Sequence, residues 1–328
     1  MVAKSISARP RPVCLLCGSP GQPAHTGLKD QLFGAPGEWD LHCCKNRDCE
    51  LYWLNPMPEP GDLPIAYEAY YTHEERARRE DQPAGSWPSS WLEAVHRMVM
   101  DATGTTRARR LANDSYLADA KPGRLLEVGC GDGSRLLRLK KHGWLVEGQD
   151  VDPQAGAHAL AASGITVYGG KLEALHLPEG RYDAIVMNHV IEHAVDPLGL
   201  LQECHRLLVP GGQFVAVTPN TLSFGHRFFG AHWVHLDPPR HLSLFSVRNL
   251  PVLARNAGYS RIETRSSAQA AAFSGAASWD IWRRGRHSVY RSPSGTTRII
   301  GFAFQIAASL AIRIWRMSGE EVAFRAWK

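Results

Sequence analysis

Short apolar runs alternate with helix-spaced ones through most of this chain. Strands are expected at residues 125–128, 144–151, 165–168, 182–187, 214–217 and 259–266. Between them apolar positions return at helical spacing, as from Leu136 onward, and residues 246–258 read as a capped helix. Strands alternating with helices predict an α/β fold with a mainly parallel sheet. Residues 321–327 alternate well enough to add a last strand. Ahead of this core, Trp91, Leu92, Val95, Met98 and Val99, then Leu111 and Leu117, predict helices broken near Gly104. Residues 54–64 are proline-rich and read as an extended linker. Tyr67, Tyr70 and Tyr71 follow it and either dock it on the domain or line a substrate cleft, and the charged run 73–82 reads as solvated. The expected division is therefore 1–55, a small module; 56–121, linker and helices; 122–267, the core; 268–317, an insertion; and 318–328, the final strand.

The first strand runs into three alternating glycines, Gly129, Gly131 and Gly133, ahead of a helix. Side chains there would push the turn away from whatever it holds, and the helix start offers N–H groups and a positive dipole end. Asp150 ends the next strand about twenty residues on, where a carboxylate can accept from both hydroxyls of a ribose. Val151 is then placed to pack on a purine face, and Asp152 caps the following helix ahead of Pro153. A dinucleotide loop would put its third glycine at Ser134.

With Glu127 two residues before the first glycine, the run E-V-G-C-G-D-G resembles motif I of the class I methyltransferases, which use S-adenosylmethionine. The resemblance covers residues 122–267 and implies a Rossmann-like seven-stranded sheet of order 3-2-1-4-5-7-6, its last strand antiparallel. It also implies that Glu127 lies near the methionine end of the cofactor and that Gly129, Gly131 and Gly133 admit its ribose and carboxylate. The turn at Leu172 and Glu173 would cover the adenine, although Lys171 departs from the family pattern. Residues 188–193, NHVIEH, are similar to the x-x-V-L-E-H of ubiquinone-type O-methyltransferases and sugar C-methyltransferases, which implies that Asn188 and His189 flank the cofactor. His193, expected in a helix opening there, would face the substrate, or pair with Glu192 as a helix-start hydrogen bond and no more.

Composition adds limits. The chain has 328 residues, 44% of them hydrophobic, enough for a real core, and a net charge of +5 that is too mild to call for nucleic acid. The first residues hold no apolar stretch of signal-peptide length, so a reducing cytoplasm is expected and the cysteines read as ligands or core residues. Cys14-Leu-Leu-Cys17-Gly18 is a knuckle, and Cys43, Cys44 and Cys49 form a second cluster. Two pairs on two turns can supply the four thiolates of a structural zinc site in a zinc-ribbon-like module. The set chosen is Cys14, Cys17, Cys44 and Cys49, with Cys43 an alternative to Cys44.

Beyond the strand at 214–217 the chain reads His232-Trp233 through Asp237-Pro238-Pro239-Arg240-His241, expected to be a stiff loop over the pocket. It is similar to a D-x-P-R-H-L-x-x-F-S loop of bacterial methyltransferase-like proteins. His241 is expected to reach the active site, and Arg240 either binds an anionic substrate group or pairs with Asp237. Within 268–317, an uncharged run at 299–312 lies between Arg298 and Arg313, about fourteen residues against the roughly twenty that span a bilayer. It could lie on the inner face of the membrane, be a buried helix, or form a dimer contact. The reading is an S-adenosylmethionine-dependent methyltransferase for an O or C acceptor, with His193 or His241 removing the proton. A small molecule, sugar nucleotide or lipid-linked intermediate fits as acceptor. A non-catalytic S-adenosylmethionine-binding scaffold and a nicotinamide-dependent oxidoreductase are the alternatives.

Overall fold

The computed structural model describes residues 5–68, 90–152, 163–289 and 294–328. Tyr70, Tyr71, the run 73–82, Pro153 and Arg291 lie outside them. The strands are β1 (Ala8–Arg9), β2 (Gly21–Leu28), β3 (Trp39–Cys44), β4 (Tyr52–Leu54), β5 (Met57–Pro58), β6 (Arg124–Val128), β7 (Leu145–Asp150), β8 (Thr166–Gly169), β9 (Tyr182–Asn188), β10 (Leu208–Pro219), β11 (Ser243–Leu244), β12 (Arg261–Ser267) and β13 (Glu321–Trp327). The helices are α1 (Ser90–Ala102), α2 (Thr105–Asn113), α3 (Ser134–Lys141), α4 (Pro197–Leu207), α5 (Phe224–Phe229), α6 (Leu250–Asn256), α7 (Ala271–Arg284) and α8 (Gly295–Ile314).

The chain divides into two compact units. One comprises residues 109–219, 247–265 and 322–328, the other residues 1–108, 220–246 and 266–321. In the first unit, seven strands hydrogen-bond in the order β12-β13-β10-β9-β6-β7-β8. Numbered as β6, β7, β8, β9, β10, β12 and β13 in turn, this is the order 3-2-1-4-5-7-6 read from the other edge. β6 runs parallel to both β7 and β9, and β9 parallel to β10. The central strands are apolar on both faces because both faces are covered: Leu125, Leu126, Ala184 and Ile185 are fully buried. α3 lies so close to β7 that a methyl group on Gly148 would meet Leu136 at 2.8 Å and Cys130 Sγ at 2.9 Å. β10 begins six residues earlier than the expected strand and absorbs the Pro210-Gly211-Gly212 turn as a shift of register between Leu208 and Gln213.

The second unit carries a four-stranded sheet of order β11-β4-β3-β2 around Trp39, Leu41, Trp53 and Leu54. β11, from beyond β10 in sequence, pairs antiparallel with β4. Two expectations change here. The cysteine module expected at residues 1–55 falls here within a larger unit, and residues 232–246, expected as a stiff loop, contribute β11 to the sheet of this unit. The reason lies in Arg240. Its side chain is fully buried and donates to both oxygens of Asp30 at 2.7 and 2.8 Å, to both oxygens of Asp237, and to the carbonyl of Ala66 at 3.0 Å. Asp30 also accepts from the backbone of Leu32, Phe33 and Ala35, and the Phe33 ring lies under the guanidinium at 4.6 Å. Burial pushes the Asp30 carboxyl up, yet Arg240 and these donors hold it below its ordinary range. Arg240 is therefore a structural tie, and the anion-binding reading falls.

The remaining helices of this unit include α7 and α8, which pack on each other. The uncharged run at 299–312 belongs to α8, which at 20 residues is longer than the run suggested and long and apolar enough by composition to cross a membrane. Breaking one partner of a buried ion pair strands the other charge, typically at about 3–5 kcal/mol. Arg240→Met should therefore lower the stability read from urea denaturation by about that amount, and Arg240→Lys should not restore it, because an ammonium cannot bridge two carboxylates and a carbonyl in the same fork. A melting curve unchanged in either variant would contradict the tie.

Candidate functional site

β6 delivers the chain to the C-terminal edge of the parallel sheet, and there the backbone turns left-handed at Gly129, Gly131 and Gly133, with φ of 68°, 52° and 72°. Side chains disfavour that region, so the glycines are required by the path itself. A methyl group on Gly129 would sit 2.3 Å from Val190, whereas one on Gly131 would meet nothing within 4 Å, so the turn opens on empty space at that point. The neighbouring strand holds the turn. Gly129 and Cys130 both donate N–H to the Gln149 carbonyl, at 2.8 and 3.0 Å, and Gly131 donates to Asp150 Oδ2 at 2.8 Å. Asp150 Oδ1 accepts from Asp152 N at 3.0 Å, and each carboxylate oxygen retains acceptor capacity.

Glu127 lies beneath, 1% exposed, its Oε1 accepting from Arg135 Nη1 at 2.8 Å. Its Oε2 is buried with no hydrogen-bond partner among the described residues. Burial pushes this carboxyl up to about 7 against the pull of Arg135. Sequence reasoning missed Arg135. Its signal was a cation in the first turn of a helix, the end that repels positive charge and so calls for a nearby carboxylate. Gln149 was missed as well: its Nε2 donates to Gly170 O at 2.6 Å and ties β7 to the turn before Leu172. Val151 is 69% exposed beside this edge, Leu172 is buried in a one-turn 3-10 helix, and Glu173 of that turn is exposed.

Asn188 closes β9, half-buried, and His189 follows with φ 53°. The His189 amide donates to Val217 O at 2.8 Å, and its Nδ1 lies 3.2 Å from Glu192 Oε1. The carboxylate accepts, so Nδ1 of His189 carries a proton. Glu192 is fully buried and also accepts from Thr218 Oγ1 at 2.9 Å. His193 ends a one-turn 3-10 helix, and the following α-helix starts only at Pro197, capped by Asp196. The expected helix at residue 188 is thus displaced, because Asp196-Pro197 supplies a stronger start.

The family described as "Methyltransferase domain" matches residues 101–264, half of the chain. The chain belongs to that family. Among curated relatives, the ubiquinone biosynthesis O-methyltransferase of Cereibacter sphaeroides (strain ATCC 17029) is 37% identical over 119 residues, covering 34% of this chain and 48% of the relative. That of Pseudomonas aeruginosa (strain LESB58) is 34% identical over 126 residues, covering 36% and 54%. The chain spans about half the length of these relatives. A solved S-adenosylmethionine-dependent methyltransferase from Mesorhizobium loti aligns with a TM-score of 0.46 at 19% identity, covering 70% of this chain and 100% of that one. At the edge of β6 and β7 the chain carries the residues expected to meet the cofactor.

His193 and His241 belong to different units of this chain. His241 is 6% exposed; its Nδ1 donates to the His235 carbonyl at 2.7 Å, and Asp237 Oδ2 stands 3.9 Å from its Nε2.

The four sulfurs of Cys14, Cys17, Cys44 and Cys49 converge within 4.8 Å of one another. Cys14 and Cys49 are 3.7 Å apart and Cys17 and Cys44 3.4 Å. A tetrahedron with bonds of about 2.3 Å has sulfur–sulfur edges of about 3.8 Å, so the donor set has the dimensions of a zinc centre held by four thiolates. The turn after Cys14 is closed by Gly18 at φ 71°, and Cys44 ends β3. Cys43 Sγ points instead to the Cys44 carbonyl, which separates the two alternatives in favour of Cys44.

The raised Glu127 carboxyl carries a pH signature. Below about 4.5 it is protonated folded and unfolded alike; from there to about 7 only the unfolded chain releases its proton, so the group's cost to stability grows with pH and is complete above 7. Glu127→Gln should gain on the wild type by up to about 3 kcal/mol between pH 4.5 and 8, whatever its stability at pH 4.5. Denaturation midpoints that move in parallel with pH would refute the assignment.

Proposed function

We propose that this chain transfers a methyl group from S-adenosylmethionine to an oxygen or carbon acceptor of a small molecule. The observation that carries this reading is the buried Glu127 Oε2, an acceptor without a donor, set below a turn that opens at Gly131. A buried carboxylate oxygen left unpaired is costly, and a ligand ammonium would satisfy it. Asp150 would accept from the ribose hydroxyls, the Gly129, Gly131 and Gly133 backbone would line the ribose and carboxylate, and Val151 would cover one face of the purine. Leu172 and Glu173 would close the adenine edge, and Asn188 and His189 the side toward the methyl group. The cofactor, when bound, supplies an electrophilic methyl group on a sulfonium. The chain's own part is to orient the acceptor in line, exclude water, and receive the acceptor proton at His193 or His241. The similarity to enzymes named for ubiquinone biosynthesis favours a hydroxyl acceptor, with quinone precursors, sugar nucleotides and lipid-linked intermediates as the classes to try. We place the reaction in the cytoplasm, where thiols stay reduced.

The second part of the proposal is a structural zinc ion on Cys14, Cys17, Cys44 and Cys49. Such an ion would fix the turn closed by Gly18 to the end of β3 and so add to the stability of the sheet. Zinc analysis of the purified chain should give about one ion per chain, with Cys49→Ser losing both the metal and the cooperative melting of the wild type. A metal-free wild type of undiminished stability would refute it.

Titration calorimetry with S-adenosylmethionine, S-adenosylhomocysteine and NAD tests the function. Both sulfur ligands should bind and NAD should not. Asp150→Asn keeps an acceptor for Gly131 N but removes the charge, and should weaken S-adenosylhomocysteine by about tenfold or more. Loss of transfer in His193→Ala or His241→Ala with cofactor binding retained would name the proton acceptor. Binding of NAD alone would replace the reading with an oxidoreductase.

A further inference from the structure

α8 is built inside out. Its buried arc is Thr297, Gly301, Phe304, Gln305, Ala308 and Ser309, and its polar members are all used within the unit. Gln305 donates to Ala268 O at 2.7 Å and to Ser309 Oγ at 3.1 Å, and accepts from Ala272 N at 3.1 Å; Thr297 donates to Asp280 at 3.3 Å. The helix also lies close on α7: a methyl group on Gly301 would stand 2.6 Å from the Ala272 carbonyl, and one on Gly275 2.4 Å from Phe304. The opposite arc, at 100° per residue, carries Ile299, Phe302, Ala303, Ile306, Leu310 and Ile314. Ile299 is 60% exposed, Leu310 49% and Ile314 90%. A soluble amphipathic helix has the reverse polarity, its apolar stripe toward the core. Small and polar groups inside with aliphatic ones outside is the pattern of a helix whose outer solvent is lipid.

The ends of the stripe carry tryptophan and arginine. At the start of α8 stand Arg298 and, on the linked end of α7, Trp282 at 53% exposure beside exposed Arg283, Arg284 and Arg286. At the far end are exposed Arg313 and Arg316, with Trp315 stacked under Arg227 at 4.6 Å. Residues 268–317 hold seven arginines against a single acid, Asp280, which is buried on His287 and Thr297. α1 flanks this arc through the ring contact of His96 with Phe302 and exposes Met98 at 63%.

We infer that α8, with the ends of α7 and α1, is a monotopic docking face for a membrane containing anionic phospholipid. The stripe from Ile299 to Ile314 is about 22 Å long, and the other side of α8 is packed on α7, so the helix lies in the headgroup boundary with its aliphatic arc immersed. Arginines at both ends meet lipid phosphates, and tryptophans sit at the polar–apolar border. A second copy fits worse: an isologous contact would set the arginine-rich ends of one chain against those of the other. The inference does not depend on which acceptor is methylated.

The experiment is co-sedimentation of the full chain with vesicles of phosphatidylcholine alone and of phosphatidylcholine with about one third phosphatidylglycerol, at low and high salt, the one-third share being chosen to give a strong surface charge. The wild type should pellet with the anionic vesicles, and high salt should weaken that binding without abolishing it. Ile306→Glu/Leu310→Glu should reduce partitioning at least about tenfold, and Leu310→Ser, at a site exposed in the folded chain, should reduce it severalfold with melting unchanged. Arg283→Glu/Arg286→Glu should remove the preference for anionic lipid. A wild type that stays in the supernatant with both vesicles would overturn the inference. So would a lipid-free dimer, seen by sedimentation velocity, that Leu310→Ser dissociates while vesicle binding persists.

Discussion

Everything at the cofactor edge hangs on how the chain leaves β6. A parallel strand buried on both faces must hand over to its crossover helix within a few residues, and the handover here passes through left-handed backbone three times. Once Gly129, Gly131 and Gly133 accept that path, the N–H groups of the turn face the next strand, and the Gln149 carbonyl and Asp150 carboxylate take up those of Gly129, Cys130 and Gly131. The same hydrogen bonds fix where Asp150 stands relative to the turn. The acid proposed to grip a ribose is thus positioned by the backbone proposed to cradle it, so the two parts cannot drift independently.

Charge in this region is arranged by burial more than by pairing. Arg135 sits where a helix start disfavours a cation, and Glu127 sits where the interior disfavours an anion; each makes the other tolerable, but the second carboxylate oxygen is left over. By contrast, Glu147, on the same sheet nearer the start of β7, is held down to about 2 by Arg181, Tyr182 and Arg124 despite partial burial. Two glutamates on neighbouring strands therefore differ because one accepts from Arg124, Tyr168, Arg181 and Tyr182 and the other from one arginine. The unsatisfied member is the one at the ligand edge, where open sheets bind their ligands.

The central strands, the glycine turn, Asp150 and the cysteine set were legible because each depends on local sequence: period, spacing and residue type. The order of the sheet followed from family resemblance, and hydrogen bonding reproduces it. What was not legible depends on partners far along the chain. Nothing near residue 240 announces that Arg240 will meet Asp30, 210 positions away, or that Ser243 will pair with Trp53. For the same reason residues 232–246 read as a loop over a pocket, since a two-residue strand has no periodicity of its own. The start of the helix after β9 was misplaced for a local reason: Asn188 looked like a helix opening, but the cap and proline at Asp196-Pro197 lie only eight residues on and win.

The insertion teaches the converse point. Its composition left three readings open, because an apolar run of this length suits a core helix, a dimer contact or a membrane face alike. The sense of the amphipathicity sets the core helix apart from the other two, and that sense is set by what α7 offers. α7 presents Ala272, Gly275 and Ala276, small groups that allow backbone approach but supply little apolar area to bury. α8 accordingly turns Gly301, Gln305 and Ser309 inward, where hydrogen bonds and close packing hold the pair, and its large aliphatic residues are left facing out. In water that arrangement exposes several isoleucine and leucine side chains worth about 1.5–3 kcal/mol each on burial. An apolar environment outside the protein recovers that energy without disturbing the internal contacts, whereas turning the helix over would bury the aliphatic groups only by stranding Gln305 and Ser309.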